Sequence, residues 1–213
     1  MGVPWSTWRW AKVSRVDAAV DLYGVYLTDW VWDLPGRGSR EVISRQREVR
    51  TVYLGAKRMN PMVVYNKGKQ DPSLALGGPL TRVEYRAKYN GPVAGLLKLP
   101  NPFAKVVVFD PRKLSCPDPQ RTALMSLGHL HGRQGILQSF PANSRPKFDL
   151  ALAAAGAPWW QPEEIWSAWV GCLKKTARCL FDTAGPLAST AIAYQQAMEA
   201  EAEAEADVAR QSG

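Results

Sequence analysis

Asp17, Asp21, Tyr53, Tyr65, Lys67, Arg82, Glu84 and Arg86 are the residues of this chain whose types and spacing suit chemistry. They occupy the polar positions of four stretches, 15–22, 51–55, 62–68 and 80–88, that alternate apolar with polar. Such alternation is the pattern of a half-buried β-strand. Side chains two apart on a strand share a face, so one face of a sheet would present acids, bases and tyrosines together. A carboxylate pair from two strands suits Mg²⁺ or Mn²⁺, which take hard oxygen ligands and leave positions for water and phosphate. Lys67, Arg82 and Arg86 can hold phosphates and offset developing charge. A tyrosine can supply a covalent nucleophile. Asp17 and Asp21 are about 13 Å apart along a strand, at roughly 3.3 Å per residue. They cannot share one ion, so at most one of them can join Glu84 from another strand. Cross-strand ion pairs explain the same residues without any ligand.

The chain has 213 residues, is 46% hydrophobic and contains nine Trp. That is enough for one domain, or for one domain with an appendage. The formal net charge is +8 and uneven: residues 1–150 hold 23 Lys+Arg against 11 Asp+Glu, and residues 151–213 hold 4 against 8. A basic body points to a polyanionic partner such as nucleic acid. A basic protein with no specific partner has the same charge. Arg45, Arg47, Arg50, Lys57, Arg58, Lys69, Arg82 and Arg86 are the expected nucleic-acid contacts. Cys116, Cys172 and Cys179 are odd in number and form no C-x-x-C pair. They argue against a zinc ribbon and a disulfide framework, and read as thiols in a reducing cytosol. The N-terminus lacks the apolar core of a signal peptide, and no run reaches 18 apolar residues. A cytoplasmic protein with no membrane partner is expected.

Stepwise along the chain, the Trp-rich residues 1–12 are expected to cap an edge, and 13–28 to form the first strand. Pro35-Gly36-Arg37-Gly38 is a turn. Residues 40–54 read as a second strand running into 51–55, followed by a hairpin through Asn60-Pro61 into 62–68. A loop, 70–79, leads to strand 80–88. The connections are too short for repeated βαβ crossovers. The expected fold class is therefore α+β: a meander-like antiparallel sheet of about four to six strands with helices on its apolar face. Residues 93–99 look helical and 104–109 look like one more strand. Leu124, Leu127, Leu130 and Leu137 give 119–140 helical spacing against Gly128, Gly132 and Gly135. Residues 146–156 read as a short helix. Pro162-Glu163-Glu164 opens another that carries Trp166 and Trp169. The expected parts are a DNA-binding domain at 1–156, a helical extension at 157–195 and a solvated acidic tail at 196–213.

In order and spacing, these motifs resemble those of the replication initiation factor family, the Rep proteins of rolling-circle plasmids and filamentous phages. The matching residues are Arg15, Asp17 and Asp21; Tyr53 and Gly55 with Lys57 and Arg58; Tyr65-Asn66-Lys67-Gly68; and Arg82, Glu84 and Arg86. The resemblance covers about residues 13–90. It implies a site-specific nickase in which a tyrosine attacks one DNA strand and stays on the 5′ phosphate while a divalent metal polarises that phosphate. By position, Asp17 and Glu84 would be the metal ligands and Lys67 a phosphate contact. The implied partners are DNA, single-stranded or as an origin hairpin, and host replication proteins in a bacterial cytoplasm. The family's nucleophilic tyrosine follows the Arg-x-Glu strand, whereas the one tyrosine here beyond Tyr89 is Tyr194. Either Tyr194 or an upstream tyrosine such as Tyr65 takes the role, or the chain is a non-catalytic DNA-binding regulator or structural protein. His129-Leu130-His131 is similar to the His-hydrophobic-His metal signature of another class of rolling-circle nucleases. On a helix, however, residues two apart point about 200° apart and cannot chelate together. Leucine spacing predicts that helix. Tyr85-Arg-Ala-Lys88 matches a Tyr-x-x-Lys signature of the same class, but Tyr85 falls on the face opposite Glu84.

Overall fold

Alternating residues build five strands that join in one antiparallel sheet. The computed structural model describes residues 12–36, 40–45, 48–55, 62–75 and 78–182. Strands β1 (Lys12–Tyr23), β3 (Arg40–Arg45), β4 (Glu48–Leu54), β5 (Met62–Asn66) and β6 (Leu80–Pro92) lie in the order β1-β6-β5-β4-β3. Strands β3 to β6 form a meander, and β1 adds to its β6 edge. Two further strands, β2 (Val31–Asp33) and β7 (Val107–Phe109), make a separate antiparallel pair with Val31 opposite Phe109. Among the described residues the four α-helices are α1 (Lys67–Gln70), α2 (Asp118–Gln138), α3 (Arg145–Ala154) and α4 (Pro162–Asp182). The fold is α+β, as the alternation predicts.

Several boundaries differ from the sequence expectation. The first strand stops at Tyr23, and a 3-10 turn covers Leu27–Asp29 rather than a continued strand. The stretch 40–54 is two antiparallel strands, with Arg40 opposite Leu54 and Arg45 opposite Glu48. Ile43 faces Thr51 but Ser44 faces Val49, so Arg50 is the extra residue of a β-bulge. Residues 93–98 form a 3-10 helix. The short strand near 104–109 pairs with β2 and does not widen the main sheet.

The described residues divide into two compact units, a larger one within Ser14–Tyr89 and Pro100–Ser167 and a smaller one of 12–13, Asn90–Leu99 and 168–182. In the larger unit, Val52, Leu54, Met62, Val64 and Val83 are buried in the sheet. The 3-10 turn with buried Leu27 packs on β4 and β5, and α2 packs on β2 and β3. A second cluster joins Val31, Phe109, Leu114, Leu124, Ile136 and Leu152. Much of the tryptophan content is packing. Trp30 meets Trp159 edge-on at 5.1 Å, and Trp32 meets Trp160 at 5.7 Å. Trp160 also donates its indole N–H to the Val106 carbonyl at 2.9 Å, and the Ala157 N–H reaches the Val108 carbonyl at 2.8 Å. These bonds tie 157–160 to the larger unit, so that unit runs past residue 156.

Two of the glycines of α2 have tertiary causes. At Gly128 an added Cβ would lie 2.5 Å from a Val31 methyl, so its absence lets helix and strand approach. Gly132 adopts φ 65° and ψ −160°, a region essentially reserved for glycine, and breaks the helix. Asp33 then accepts from the freed Arg133 N–H at 2.8 Å and from the Leu34 N–H at 2.9 Å. In the smaller unit, the 3-10 helix Val93–Lys98 closes with the Leu99 N–H on the Leu96 carbonyl at 3.3 Å.

Candidate phosphate and nucleic-acid site

The ladder places Tyr65 opposite Arg82, Val63 opposite Glu84, Thr51 opposite Tyr65 and Tyr53 opposite Val63. Tyr53, Tyr65, Arg82 and Glu84 therefore share one face. On the β1 side, Arg82 donates from Nε and Nη2 to the two Asp21 oxygens at 2.5 and 2.6 Å, and the Gly24 N–H donates to the Pro79 carbonyl at 2.9 Å. Both bonds join β1 to β6, which are neighbours in the sheet.

The polar groups of this face are paired with one another. The Tyr65 hydroxyl donates to Glu84 Oε2 at 3.0 Å, and Arg86 Nε donates to Glu84 Oε1 at 2.6 Å. Arg15 binds both Asp17 oxygens at 2.7 and 2.6 Å. Hydrogen bonds to Asp21, Glu84 and Asp17 raise the pKa values of Arg82, Arg86 and Arg15 respectively. Burial, then the hydrogen bond to Glu84, raises the Tyr65 pKa, and Arg82 opposes the shift. Val63 is fully buried and Glu84 is 8% exposed, so the centre of the face is a closed floor. Three guanidiniums meet three carboxylates, which makes this face polar without being strongly basic.

Asp17 on β1 and Glu84 on β6 lie on neighbouring strands. Two oxygen donors with room for water and phosphate fit Mg²⁺ or Mn²⁺ by donor type. Both carboxylates already hold arginines. Among the described residues, no three His, Cys, Asp or Glu side chains gather into a metal-binding group.

Lys67 leaves the face. Strand β5 ends at Asn66, and Lys67–Gln70 turns into α1. Asn66 Oδ1 caps that turn by accepting from the Lys69 N–H at 2.9 Å, and the Lys67 ammonium lies 3.4 Å from Gln70 Oε1. A Cβ on Gly68 would meet Ala75 Cβ at 3.0 Å and Leu80 Cβ at 3.4 Å. Asn-Lys-Gly therefore has a local structural cause: a cap followed by close packing. Sequence alternation ran Lys67 onto the sheet because a strand ending at a polar residue has no distinct pattern.

The basic excess gathers elsewhere. Arg45 is exposed and stands opposite Glu48 in the ladder, Arg50 Nη2 lies 3.3 Å from Glu48, and the Lys69 ammonium binds the same carboxylate. Lys69, then burial in opposition and Arg50, set a lowered Glu48 pKa. Three cations around one acid leave this corner positive. Arg47, Lys57, Arg58 and Tyr194 lie outside the described residues. Asp21 as the partner of Arg82, and Arg15 as the partner of Asp17, were invisible as pairs in sequence. The Arg-x-Asp spacing of Arg15 and Asp17, which sets both on one side of a strand, was the one available signal.

Both histidines are on α2, so they do not form the two-histidine metal motif of a strand. The Arg40 guanidinium is largely but not fully buried, and donates to the His129 carbonyl at 2.8 Å and the Trp32 carbonyl at 2.5 Å. Burial lowers its pKa to about 10, against the opposing pull of Asp33. Burial, with the Arg40 charge, lowers the His129 pKa to about 4. A cleft of about 660 Å³ beside the Gly132 break is lined by Asp33, Arg40, His131, Arg133 and Asp149 among others. Arg133 is bound to Asp149 there at 2.6 Å.

The chain matches no protein-family model and no curated protein. The resemblance to replication initiators thus rests on the motif residues of 13–90. No helix among the described residues is long and apolar enough to cross a membrane.

Proposed function

We propose that this chain is a replication initiation protein of a plasmid or phage that binds origin DNA and nicks and rejoins one strand. The observation that carries the reading is Tyr65, whose hydroxyl donates to Glu84 at 3.0 Å on a face flanked by Arg82 and Arg86. A phenol with a raised pKa is un-ionised at neutral pH, so it needs a base in contact, and Glu84 is that base. In the nicking step the Tyr65 oxygen bonds to phosphorus and the Tyr65 proton passes to Glu84. The bond to the 3′ oxygen breaks, and that oxygen leaves as a hydroxyl on taking up, through water, the proton that Glu84 received. Rejoining is the reverse. Arg82 and Arg86 offset charge on the phosphoryl oxygens. A divalent ion on Asp17 and Glu84 would add Lewis-acid polarisation of the phosphate. The positive corner of Arg45, Arg50 and Lys69 holds the DNA backbone. Single-stranded origin DNA and host replication proteins are the partners of this reading, in a bacterial cytoplasm.

The test is incubation with Mn²⁺ and origin-containing single strands, followed by denaturing electrophoresis. The expected product is a covalent protein–DNA adduct that disappears in Tyr65→Phe. An adduct that survives in Tyr65→Phe transfers the role to another tyrosine, and the absence of any adduct removes the catalytic claim. A second reading, a non-catalytic DNA-binding regulator, is favoured by the arginine partners already held by Asp17, Asp21 and Glu84. It expects salt-sensitive binding without cleavage.

A further inference from the structure

Two tyrosines lie exposed on a turn whose backbone is fastened. Tyr23 ends β1 and is 58% exposed, and Tyr26 is 54% exposed. Between them, the Gly24 N–H donates to the Pro79 carbonyl at 2.9 Å, and the Val25 carbonyl accepts from the Thr81 hydroxyl at 2.8 Å. Beyond them Leu27 is buried, and its carbonyl accepts from the Trp32 indole at 3.4 Å. The Tyr26 carbonyl accepts from the Asp29 N–H at 3.2 Å and closes the 3-10 turn. The fold thus holds the turn by its backbone and by Leu27, and leaves both phenol rings largely in solvent.

The same turn continues into aromatic and cationic groups. The Lys113 ammonium lies 5.8 Å from the Trp30 ring centroid. Arg112 donates to the Asp29 carbonyl at 3.0 Å. Arg112 is also bound to Asp110 at 2.8 Å, so its charge is largely met within the chain. The turn therefore offers two exposed phenol rings, and of the nearby cations Arg112 is already paired with Asp110. That combination suits bases more than phosphates, because every base has a π-face and stacking on an aromatic ring is tolerant of sequence. The basic excess of residues 1–150, 23 Lys+Arg against 11 Asp+Glu, makes a polyanion the matching carrier of those bases.

We propose that Tyr23 and Tyr26, on the turn that leads to Trp30, form a stacking platform for unpaired bases of single-stranded nucleic acid. The proposal rests on the nucleic-acid reading above but not on cleavage. Its test is fluorescence anisotropy of the full chain with a fluorescein-labelled oligothymidylate and with an abasic deoxyribose-phosphate chain of equal length. The wild type should bind the oligothymidylate more tightly. Tyr23→Ala and Tyr26→Ala should each weaken that binding by about 5- to 100-fold, with an unchanged salt slope and unchanged binding of the abasic chain. Tyr23→Phe and Tyr26→Phe should restore it, since stacking needs the ring and not the hydroxyl. Thermal unfolding of each variant confirms that the fold is kept.

Equal binding by wild type and alanine variants overturns the platform and leaves the nucleic-acid reading intact. Failure of the wild type to bind either chain at low salt overturns both. Two further outcomes also overturn it. One is loss, only in the alanine variants, of sedimentation with phosphatidylserine-containing vesicles. The other is loss of self-association in size-exclusion chromatography while oligothymidylate binding is unchanged.

Discussion

Tyr65 and Glu84, 19 residues apart in sequence, are joined by a hydrogen bond of 3.0 Å from phenol to carboxylate. Adjacent strands bring them together, with Arg86 on the second Glu84 oxygen at 2.6 Å. The bond places an un-ionised tyrosine against its own proton acceptor. Tyr65→Phe should cost about 1 kcal/mol of stability by removing one hydrogen bond and should abolish the adduct if Tyr65 is the nucleophile. Glu84→Gln leaves Arg86 without its counter-charge and should cost about 1–2 kcal/mol. Urea unfolding midpoints of the two variants measure both effects. No change in either would show that the hydrogen bond is not maintained in solution.

Asp21 and Arg82 form a fork-to-fork pair between β1 and β6, at 2.5 and 2.6 Å, with about a quarter of each side chain exposed. A double-mutant cycle with Asp21→Asn and Arg82→Gln should give a coupling of about 1 kcal/mol. Arg82→Lys should lose most of that coupling, because an ammonium cannot bind both oxygens in one plane. Additive single and double variants would show that the pair contributes nothing.

Gly132→Ala should be strongly destabilising, by about 2–4 kcal/mol. The new Cβ would lie 2.7 Å from Asp33 Oδ1 at φ 65°, so both sterics and backbone oppose it. Thermal unfolding should show a large drop in midpoint. A variant as stable as the wild type would mean that α2 runs on as one continuous helix.

His129 links stability to pH. Folded, its imidazole takes up a proton near pH 4, whereas an unfolded histidine does so near its ordinary value of 6.5. Between those values the unfolded chain binds more protons, so stability falls as pH drops from about 6.5 towards about 4. The loss should be on the order of 2 kcal/mol after allowance for partial exposure. His129→Gln should flatten this part of the profile and leave the Arg40 bond to the residue 129 carbonyl in place. An identical slope in wild type and variant would assign the dependence to other groups.

The corner of Arg45, Arg50 and Lys69 should govern salt dependence. Arg45→Gln and Lys69→Gln should each lower the slope of log K against log salt by about 0.7–0.9 for every phosphate left without its cation. Weakening should be similar across DNA sequences, because phosphate contacts carry no base information. Titrations at several salt concentrations measure this. An unchanged slope in both variants would place the backbone-binding surface elsewhere.

Period-two alternation, with turn residues between the runs, was legible in the sequence because a half-buried strand must repeat every second residue. It was enough for an antiparallel α+β fold, for the hairpin between β4 and β5, and for the shared face of Tyr65, Arg82 and Glu84. Leucine spacing likewise located α2. Strand ends were less legible: Lys67 left the sheet because Asn66 caps a turn and Gly68 packs on Ala75 and Leu80, contacts that need the third dimension. Only the tertiary structure decided which charge meets which. Asp21 with Arg82 and Tyr65 with Glu84 depend on strand register, and sequence alone sets no register between distant strands. The glycines of α2 show the same division. Propensity counts them against a helix, whereas packing on Val31 and the Asp33 contact at the Gly132 break give two of them a place in it.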